Sequence, residues 1–194
     1  MKIENHKLVG ATFLQAGTMR MPIKPELLVI HYTATQGAAS PIALFRQKGA
    51  PASAHLVIDV DGTITQMVEF NIRAAHAGKS EWNGRESCNN FSIGIEIVNP
   101  GPIVDQNGIP CDTTSKKPFT GAIVEARHKN ANCPFRKWAA YPEPQMSAVI
   151  AASKAICQAY GIKDVVGHED VSPGRKIDPG PAFDWTRFRA EVLA

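Results

Sequence analysis

Apolar positions along the chain fall into runs of two periods. Leu27-Leu28-Val29-Ile30 is a continuous apolar stretch ending on His31, as in a buried strand. His55-Leu56-Val57-Ile58-Asp59-Val60 and Thr63-Ile64-Thr65-Gln66-Met67-Val68 flank Asp61-Gly62 and predict a β-hairpin. In Ser92-Ile93-Gly94-Ile95-Glu96-Ile97-Val98 the isoleucines take one face, and Gly94 and Glu96 take the other. Met146, Val149, Ile150, Ser153, Ile156 and Tyr160 recur at helical spacing and stop at Gly161. A shorter helix is expected after Ser40 as N-cap and Pro41 in the first position, with Gly49 punctuating its end. Val165-Val166 reads as a short strand leading to His168, and Asp184-Trp185-Thr186-Arg187-Phe188-Arg189 as a capped terminal helix. Interleaved strands and helices predict an α/β fold, a central mixed β-sheet flanked by α-helices, in a single domain over residues 1–194. Residues 99 to about 141, rich in Pro, Gly, Asn and Lys, read as a long loop insertion: a lid or binding element, or a plain surface excursion.

Composition narrows this picture without redirecting it. The chain has 194 residues, 44% of them hydrophobic and 20% charged, enough for one self-sufficient core and incompatible with global disorder. The net charge of +3 suits a polyanionic partner without demanding one, and no nucleic-acid-binding motif is present. No apolar run approaches the ~18–20 residues needed to cross a bilayer, and the polar start Met1-Lys2-Ile3-Glu4-Asn5-His6-Lys7 has no secretory h-region. The expectation is a chain made in the cytoplasm and not inserted in a membrane. Cys88, Cys111, Cys133 and Cys157 form no C-x-x-C pair, which argues against a thiolate metal cluster and favours reduced thiols.

Three residues of metal-ligand type stand at informative places. His31 ends one apolar strand, His168 follows another, and Asp178 lies ten residues beyond His168. Two imidazoles and a carboxylate form a common catalytic zinc set that leaves a fourth position for water, whose pKa falls to near ~7 beside the ion. Spacing alone leaves alternatives open, because a histidine at a strand end is commonly a core residue and an Asp before Pro a turn residue. Likewise Glu96 reads equally as a salt-bridged strand glutamate, and Lys176 as a solvated loop lysine.

Taken in order, several stretches resemble the zinc-dependent N-acetylmuramoyl-L-alanine amidases of the amidase-2 type, which share a fold with phage T7 lysozyme and the peptidoglycan recognition proteins. They are Val29-Ile30-His31-Tyr32-Thr33-Ala34, Ser53-Ala54-His55-Leu56-Val57-Ile58, His76-Ala77-Gly78, Cys88-Asn89-Asn90-Phe91-Ser92-Ile93-Gly94-Ile95-Glu96, Gly167-His168 and Gly174-Arg175-Lys176-Ile177-Asp178-Pro179-Gly180-Pro181-Ala182-Phe183-Asp184-Trp185. The resemblance implies that His31, His168 and Asp178 hold Zn²⁺, that Glu96 is the general base, and that Lys176 stabilises the oxyanion. It places His76 near the substrate groove, with Tyr32 and Asn89 as further groove residues. Ala75 stands where an aromatic is common in the family, and Ala54 where some relatives carry a catalytic tyrosine. The implied reaction cleaves the amide between the lactyl group of N-acetylmuramic acid and L-alanine, in peptidoglycan or in anhydro-muropeptides. The alternative of the same fold is a peptidoglycan-binding module without catalysis. The tail favours a cytoplasmic recycling enzyme. The enlarged segment after Asn99, with Arg127, His128, Lys129, Arg136, Lys137 and Trp138, favours a polymer substrate and an endolysin released to the wall.

Overall fold

The apolar runs meet in one central sheet. The computed structural model describes residues 1–194. In chain order its elements are β1 (Ile3–Glu4), β2 (Lys7–Leu8), β3 (Thr12–Phe13), β4 (Leu27–Tyr32), α1 (Ala39–Arg46), β5 (Leu56–Ile58), β6 (Ile64–Gln66), β7 (Glu81–Trp82) and β8 (Arg85–Glu86). There follow β9 (Ser92–Ile97), β10 (Pro102–Gln106), β11 (Ile109–Asp112), β12 (Ile123–Glu125), β13 (Lys137–Ala139), α2 (Glu143–Tyr160), β14 (Asp164–Gly167), α3 (His168–Val171) and α4 (Trp185–Val192). The central sheet has the order β14-β4-β9-β5-β6-β3. Strands β14, β4, β9 and β5 run parallel, β6 returns antiparallel to β5, and β3 closes the edge parallel to β6. This is the mixed sheet with flanking helices that the interleaved pattern predicts.

Burial on both faces explains the continuous apolar runs. Leu28, Ile30, Leu56, Ile58, Ile93, Ile95 and Ile97 pack against Val149, Ile150 and Ile156 of α2 and Phe188 of α4. On the opposite face, Leu27 and Val29 join Ala77, Cys88, Phe91, Val166 and Val171. The second face therefore carries the strand positions not taken by the isoleucines, and it is the face that carries the polar residues considered below. The β5–β6 hairpin forms at Asp61-Gly62, where Asp59 N–H donates to Thr63 O at 2.9 Å and Thr63 N–H to Asp61 Oδ1 at 2.8 Å. Helix α2 ends at Gly161, whose φ of +68° is the left-handed conformation the helix terminus requires. It begins three residues before Met146, because Pro142 and Pro144 lie where a helix needs no N–H donor. Helix α1 begins at Ala39, so Ser40 lies inside the helix and does not cap it. Asp184 does cap α4, accepting from Arg187 N–H at 3.0 Å. No helix is long and apolar enough to cross a membrane.

The segment after Asn99 departs most from its sequence pattern. It folds into a second, antiparallel sheet of order β11-β10-β13-β12. Pro102 opens β10 and Pro110 lies within β11, and prolines argue against strand in a sequence reading. This sheet is fastened to the rest of the molecule. Trp138 is 1% exposed, its indole N–H donates to Ala126 O at 3.1 Å, and its ring covers Gly180. A Cβ on Gly180, where φ is +77°, would stand 2.8 Å from Trp138 Cζ3. Tyr141 O–H donates to Pro179 O at 2.8 Å. The Trp138 ring and Tyr141 thus brace residues 179–180 from below.

Two outcomes are expected from this packing. Trp138→Ala removes the ring that carries Gly180 and should lower unfolding free energy by ~3–5 kcal/mol in urea denaturation. His55 is fully buried, donates from Nε2 to Ile72 O at 2.9 Å and accepts Gly94 N–H on Nδ1 at 3.0 Å. Burial depresses its pKa from 6.5 to about 4. Between those values the unfolded chain takes a proton that the folded chain refuses, so this contribution to stability is lost as pH falls. An NMR titration of the His55 ring should give a midpoint near 4 rather than 6.5.

Candidate metal centre

Register brings the candidate ligands together. His31 on β4 is paired with Glu96 on β9, and Ile30 with Gly167 on β14. Paired residues of parallel strands point to the same face, with backbones about 4.8 Å apart. His31 and Glu96 therefore stand side by side, and His168, one step beyond Gly167, falls on the other side of His31. All three lie at the carboxyl ends of adjacent parallel strands, where α/β sheets habitually open their sites. Asp178 arrives from the loop after α3, which folds back so that Glu169 N–H donates to Asp178 O at 2.9 Å.

The side chains close into a triangle. His31 Nδ1 lies 2.9 Å from His168 Nδ1 and 3.2 Å from Asp178 Oδ2, and His168 Nδ1 lies 3.0 Å from Asp178 Oδ2. Separations of this size are those of ligand atoms sharing one ion about 2 Å away. The far nitrogens are engaged elsewhere: His168 Nε2 donates to Ala77 O at 3.0 Å, and His31 Nε2 lies 2.9 Å from His76 Nδ1. With Nε2 protonated, His168 presents a bare lone pair inward. Burial lowers the His31 pKa to about 4, although the Asp178 carboxylate pulls in the opposite direction. Burial alone would raise Asp178, but its contacts with His168 and His31 prevail and hold it well below the ordinary carboxylate range. Neutral imidazoles and an ionised acid, converging in a buried place, make a donor set that fits a divalent metal.

Glu96 stands beside this triangle. Burial, reinforced by the negative charge of Asp178, pushes its pKa well above the usual value, against the pull of Lys176. Its Oε2 is buried and has no hydrogen-bond partner. Lys176 is half-buried, and its charge bears on both Glu96 and His31.

The three groove candidates lie differently from one another. His76 is buried behind His31 with both ring nitrogens engaged, so it has no free edge to offer a groove. Asn89 is buried as well, and its Oδ1 accepts the N–H groups of His76 at 3.0 Å and Ala77 at 2.8 Å. Tyr32 is half-buried, with its ring against Gly101, and burial together with the charges of Asp178, Glu169 and Glu96 raises its pKa. The basic and aromatic segment after Asn99 is spoken for in part, with Arg127 and Arg136 left exposed. Trp138 and His128 are buried, His128 bonds Glu169, Lys129 bonds Asp170 at 2.5 Å and Glu169 at 2.9 Å, and Lys137 bonds Asp105 at 2.6 Å. All four cysteines are free thiols and buried.

Sequence reading passed over two groups that shape the site. Arg175 donates to Ala77 O and Lys79 O, both at 2.8 Å, and so ties the loop bearing Lys176 and Asp178 to residues 77–79. The buried His128–Glu169 pair anchors the helix that begins with His168. Its members are 41 residues apart, and neither shows a local signal.

Comparison with known proteins agrees with this geometry. The family model described as N-acetylmuramoyl-L-alanine amidase, Amidase_2, matches residues 21–181. The chain is 37% identical over 142 residues to "1,6-anhydro-N-acetylmuramyl-L-alanine amidase AmpD" of Escherichia coli, a match covering 72% of this chain and 58% of that protein. The match thus spans somewhat more than half the length of such curated relatives. Among solved structures, a selenomethionine derivative of AmpD superposes with a TM-score of 0.72 at 31% identity, covering 99% of each chain. AmiD from E. coli, solved with its substrate anhydro-N-acetylmuramic acid-L-Ala-D-γ-Glu-L-Lys, gives a TM-score of 0.66 at 28% identity over 89% of this chain and 59% of that one. Strand order, the His31–His168–Asp178 triangle and these matches agree: the chain belongs to the Amidase_2 family of N-acetylmuramoyl-L-alanine amidases.

Proposed function

We propose that this protein is a zinc-dependent N-acetylmuramoyl-L-alanine amidase acting on soluble anhydro-muropeptides. The observation that carries this reading is the closed triangle of two imidazole nitrogens and a carboxylate oxygen with an unpaired glutamate beside it. His31, His168 and Asp178 would hold Zn²⁺, the usual ion for such a set with a water-accessible position. Bound there, it supplies Lewis acidity, polarising a carbonyl and acidifying a water.

The chain's own residues then divide the work. Glu96 accepts the proton of the attacking water, and its raised basicity suits that task. The same proton passes from Glu96 to the amine nitrogen of L-alanine as the C–N bond breaks. Lys176 donates toward the carbonyl oxygen as negative charge gathers there. The half-buried setting of Glu96 and Lys176 limits competing water, which strengthens both interactions. A module that only binds its ligand would have no use for an unpaired buried carboxylate at the metal, and this speaks against the non-catalytic alternative.

Two features support a soluble muropeptide over polymeric wall. The relatives matched at 37% identity are named for the 1,6-anhydro substrate, and AmiD was solved with an anhydro-muramyl peptide. In the segment after Asn99, Lys129 and Lys137 sit in internal ion pairs and Trp138 is buried, which removes these three from a polymer, while Arg127 and Arg136 stay exposed.

Three measurements test the reading. Purified protein should release free stem peptide from soluble anhydro-muropeptide faster than from intact sacculi, and a preference for sacculi would reverse the substrate assignment. Glu96→Gln should retain zinc by elemental analysis while kcat falls ~10²–10⁴-fold; near-parental turnover in that variant would remove Glu96 as the base. Asp178→Ala should lose zinc on dialysis, together with the thermal stabilisation that added zinc gives the parent, ~2.7 kcal/mol at a hundredfold excess over Kd.

A further inference from the structure

The two imidazoles of the triangle are served by one short piece of chain. His168 Nε2 meets the carbonyl of Ala77 at 3.0 Å, and His31 Nε2 meets the ring of the preceding residue, His76, at 2.9 Å. A carbonyl only accepts, so His168 carries its proton on Nε2. The direction of the His31–His76 bond is set one step further out. Ser92 O–H donates to Cys88 O at 2.6 Å, which uses its single hydrogen. At 3.1 Å from His76 Nε2, the Ser92 oxygen can therefore only accept. His76 then holds its proton on Nε2 and offers the Nδ1 lone pair, so His31 must donate from its own Nε2. Both ligands are thereby fixed with Nδ1 bare and turned inward.

Local structure is arranged around this relay. A Cβ on Gly94 would lie 2.4 Å from His76 Cγ, so the strand position two before Glu96 is left empty for the His76 ring. Asn89 Oδ1 grips the N–H groups of His76 and Ala77 together. Arg175 donates to the same Ala77 carbonyl that receives His168. Its Nη2 also donates to Lys79 O at 2.8 Å and to Ser172 Oγ at 2.6 Å, and lies 3.3 Å from His168 Nε2.

We propose that His76 is a positioning residue of the metal centre. Through the chain Cys88 C=O, Ser92 O–H, His76 and His31, it fixes the tautomer and ring orientation of His31, while the adjoining Ala77 carbonyl does the same for His168. This role rests on the metal-binding part of the function proposed above. It differs from a groove role, because His76 acts on the ion through His31 and never meets the substrate. Outer partners of ligating histidines are worth 10–100-fold in metal affinity.

The test compares the full-length parent with His76→Ala, His76→Gln and Ser92→Ala, without substrate. Zinc affinity is read by competition with a chromogenic chelator, the tautomers of His31 and His168 by long-range ¹H–¹⁵N NMR, and folding by thermal melting. The parent should show both rings protonated on Nε2. In His76→Ala the His31 ring should become a tautomer mixture and zinc affinity should fall 10–100-fold, with His168 unchanged. His76→Gln, whose amide oxygen can still accept from His31, should return affinity to within a few-fold of the parent. If His76→Ala does not fold, Ser92→Ala carries the test. Without an acceptor at Nε2, His76 is free to protonate on Nδ1, and both the His31 tautomer and the affinity should shift.

Folded variants with parental affinity and an unchanged His31 tautomer would overturn the proposal. So would a His76→Gln protein as impaired as His76→Ala, since that pattern belongs to lost packing over Gly94. A parent that binds no zinc at His31, His168 and Asp178 would overturn the metal centre itself. A parent that binds zinc and responds to these variants but hydrolyses no muropeptide would overturn only the amidase reading.

Discussion

Two imidazole nitrogens and a carboxylate oxygen lie within 3.2 Å of one another, and with Nδ1 of both rings bare their lone pairs would repel; much of this molecule is arranged to hold them there. Unrestrained, two imidazoles and a carboxylate would rotate apart or share a proton. Each is prevented by a different part of the structure. His31 lies near the end of the strand hydrogen-bonded between β14 and β9, with its outer nitrogen on His76. His168 opens a four-residue helix whose next residue, Glu169, is bonded to buried His128. Asp178 is followed by Pro179 and Gly180, which Tyr141 and Trp138 brace from the second sheet. A divalent cation would convert that repulsion into a strong local attraction and so couple metal affinity to folding.

The two faces of the central sheet divide the burden. One is conventional, with the isoleucines of β9 against α2 and α4 supplying the apolar burial that drives folding. The other holds an unusual density of polar groups: His31, His76, Ser92 and Glu96, with His55 and its Gly94 partner close by. Placing these on one face makes the hydrogen-bond relay continuous from Cys88 to His31. The low local dielectric that strengthens the relay also penalises any member left unpaired, so its residues must be satisfied together. The two hydrogen bonds that Asn89 Oδ1 accepts from the 76–77 backbone and the close approach of His76 to Gly94 are consequences of that requirement.

Much of this arrangement was legible in the sequence, and the illegible parts share a cause. The strands at 27–32, 56–58, 64–66 and 92–97 and helix α2 announce themselves through runs longer than their end effects. Strand ends and family-like stretches single out His31, His168, Asp178, Glu96 and Lys176; the first three converge, Glu96 is paired with His31, and Lys176 bears electrostatically on Glu96 and His31. The second sheet reads as loop in the sequence because Pro102 and Pro110 fall in its strands among turn-forming residues. The family resemblance of His76-Ala77-Gly78 puts His76 near the groove, whereas its burial depends on the empty side of Gly94, eighteen residues away. The basic tract suggested a polymer-binding arm because the partners of Lys129 and His128, namely Asp170 and Glu169, lie some forty residues downstream. Sequence patterns report period and local capping. They do not report which distant residue will neutralise a charge.

The solitude of Glu96 is the remaining feature that stability alone does not explain. A buried carboxylate oxygen without a donor costs ~1–3 kcal/mol, more when ionised. A donor was within reach: Lys176 is near enough for its charge to be felt. Any donor bonded to the Glu96 anion would stabilise it and so weaken it as a proton acceptor. Left unpaired, next to Asp178 and partly shielded from water, the carboxyl stays basic and is offered relief only by an incoming proton. A divalent ion held by His31, His168 and Asp178 would polarise a water there, and that water would supply the proton. The energetic penalty in the resting protein and the proposed capacity to take a proton during hydrolysis are therefore the same property of one side chain.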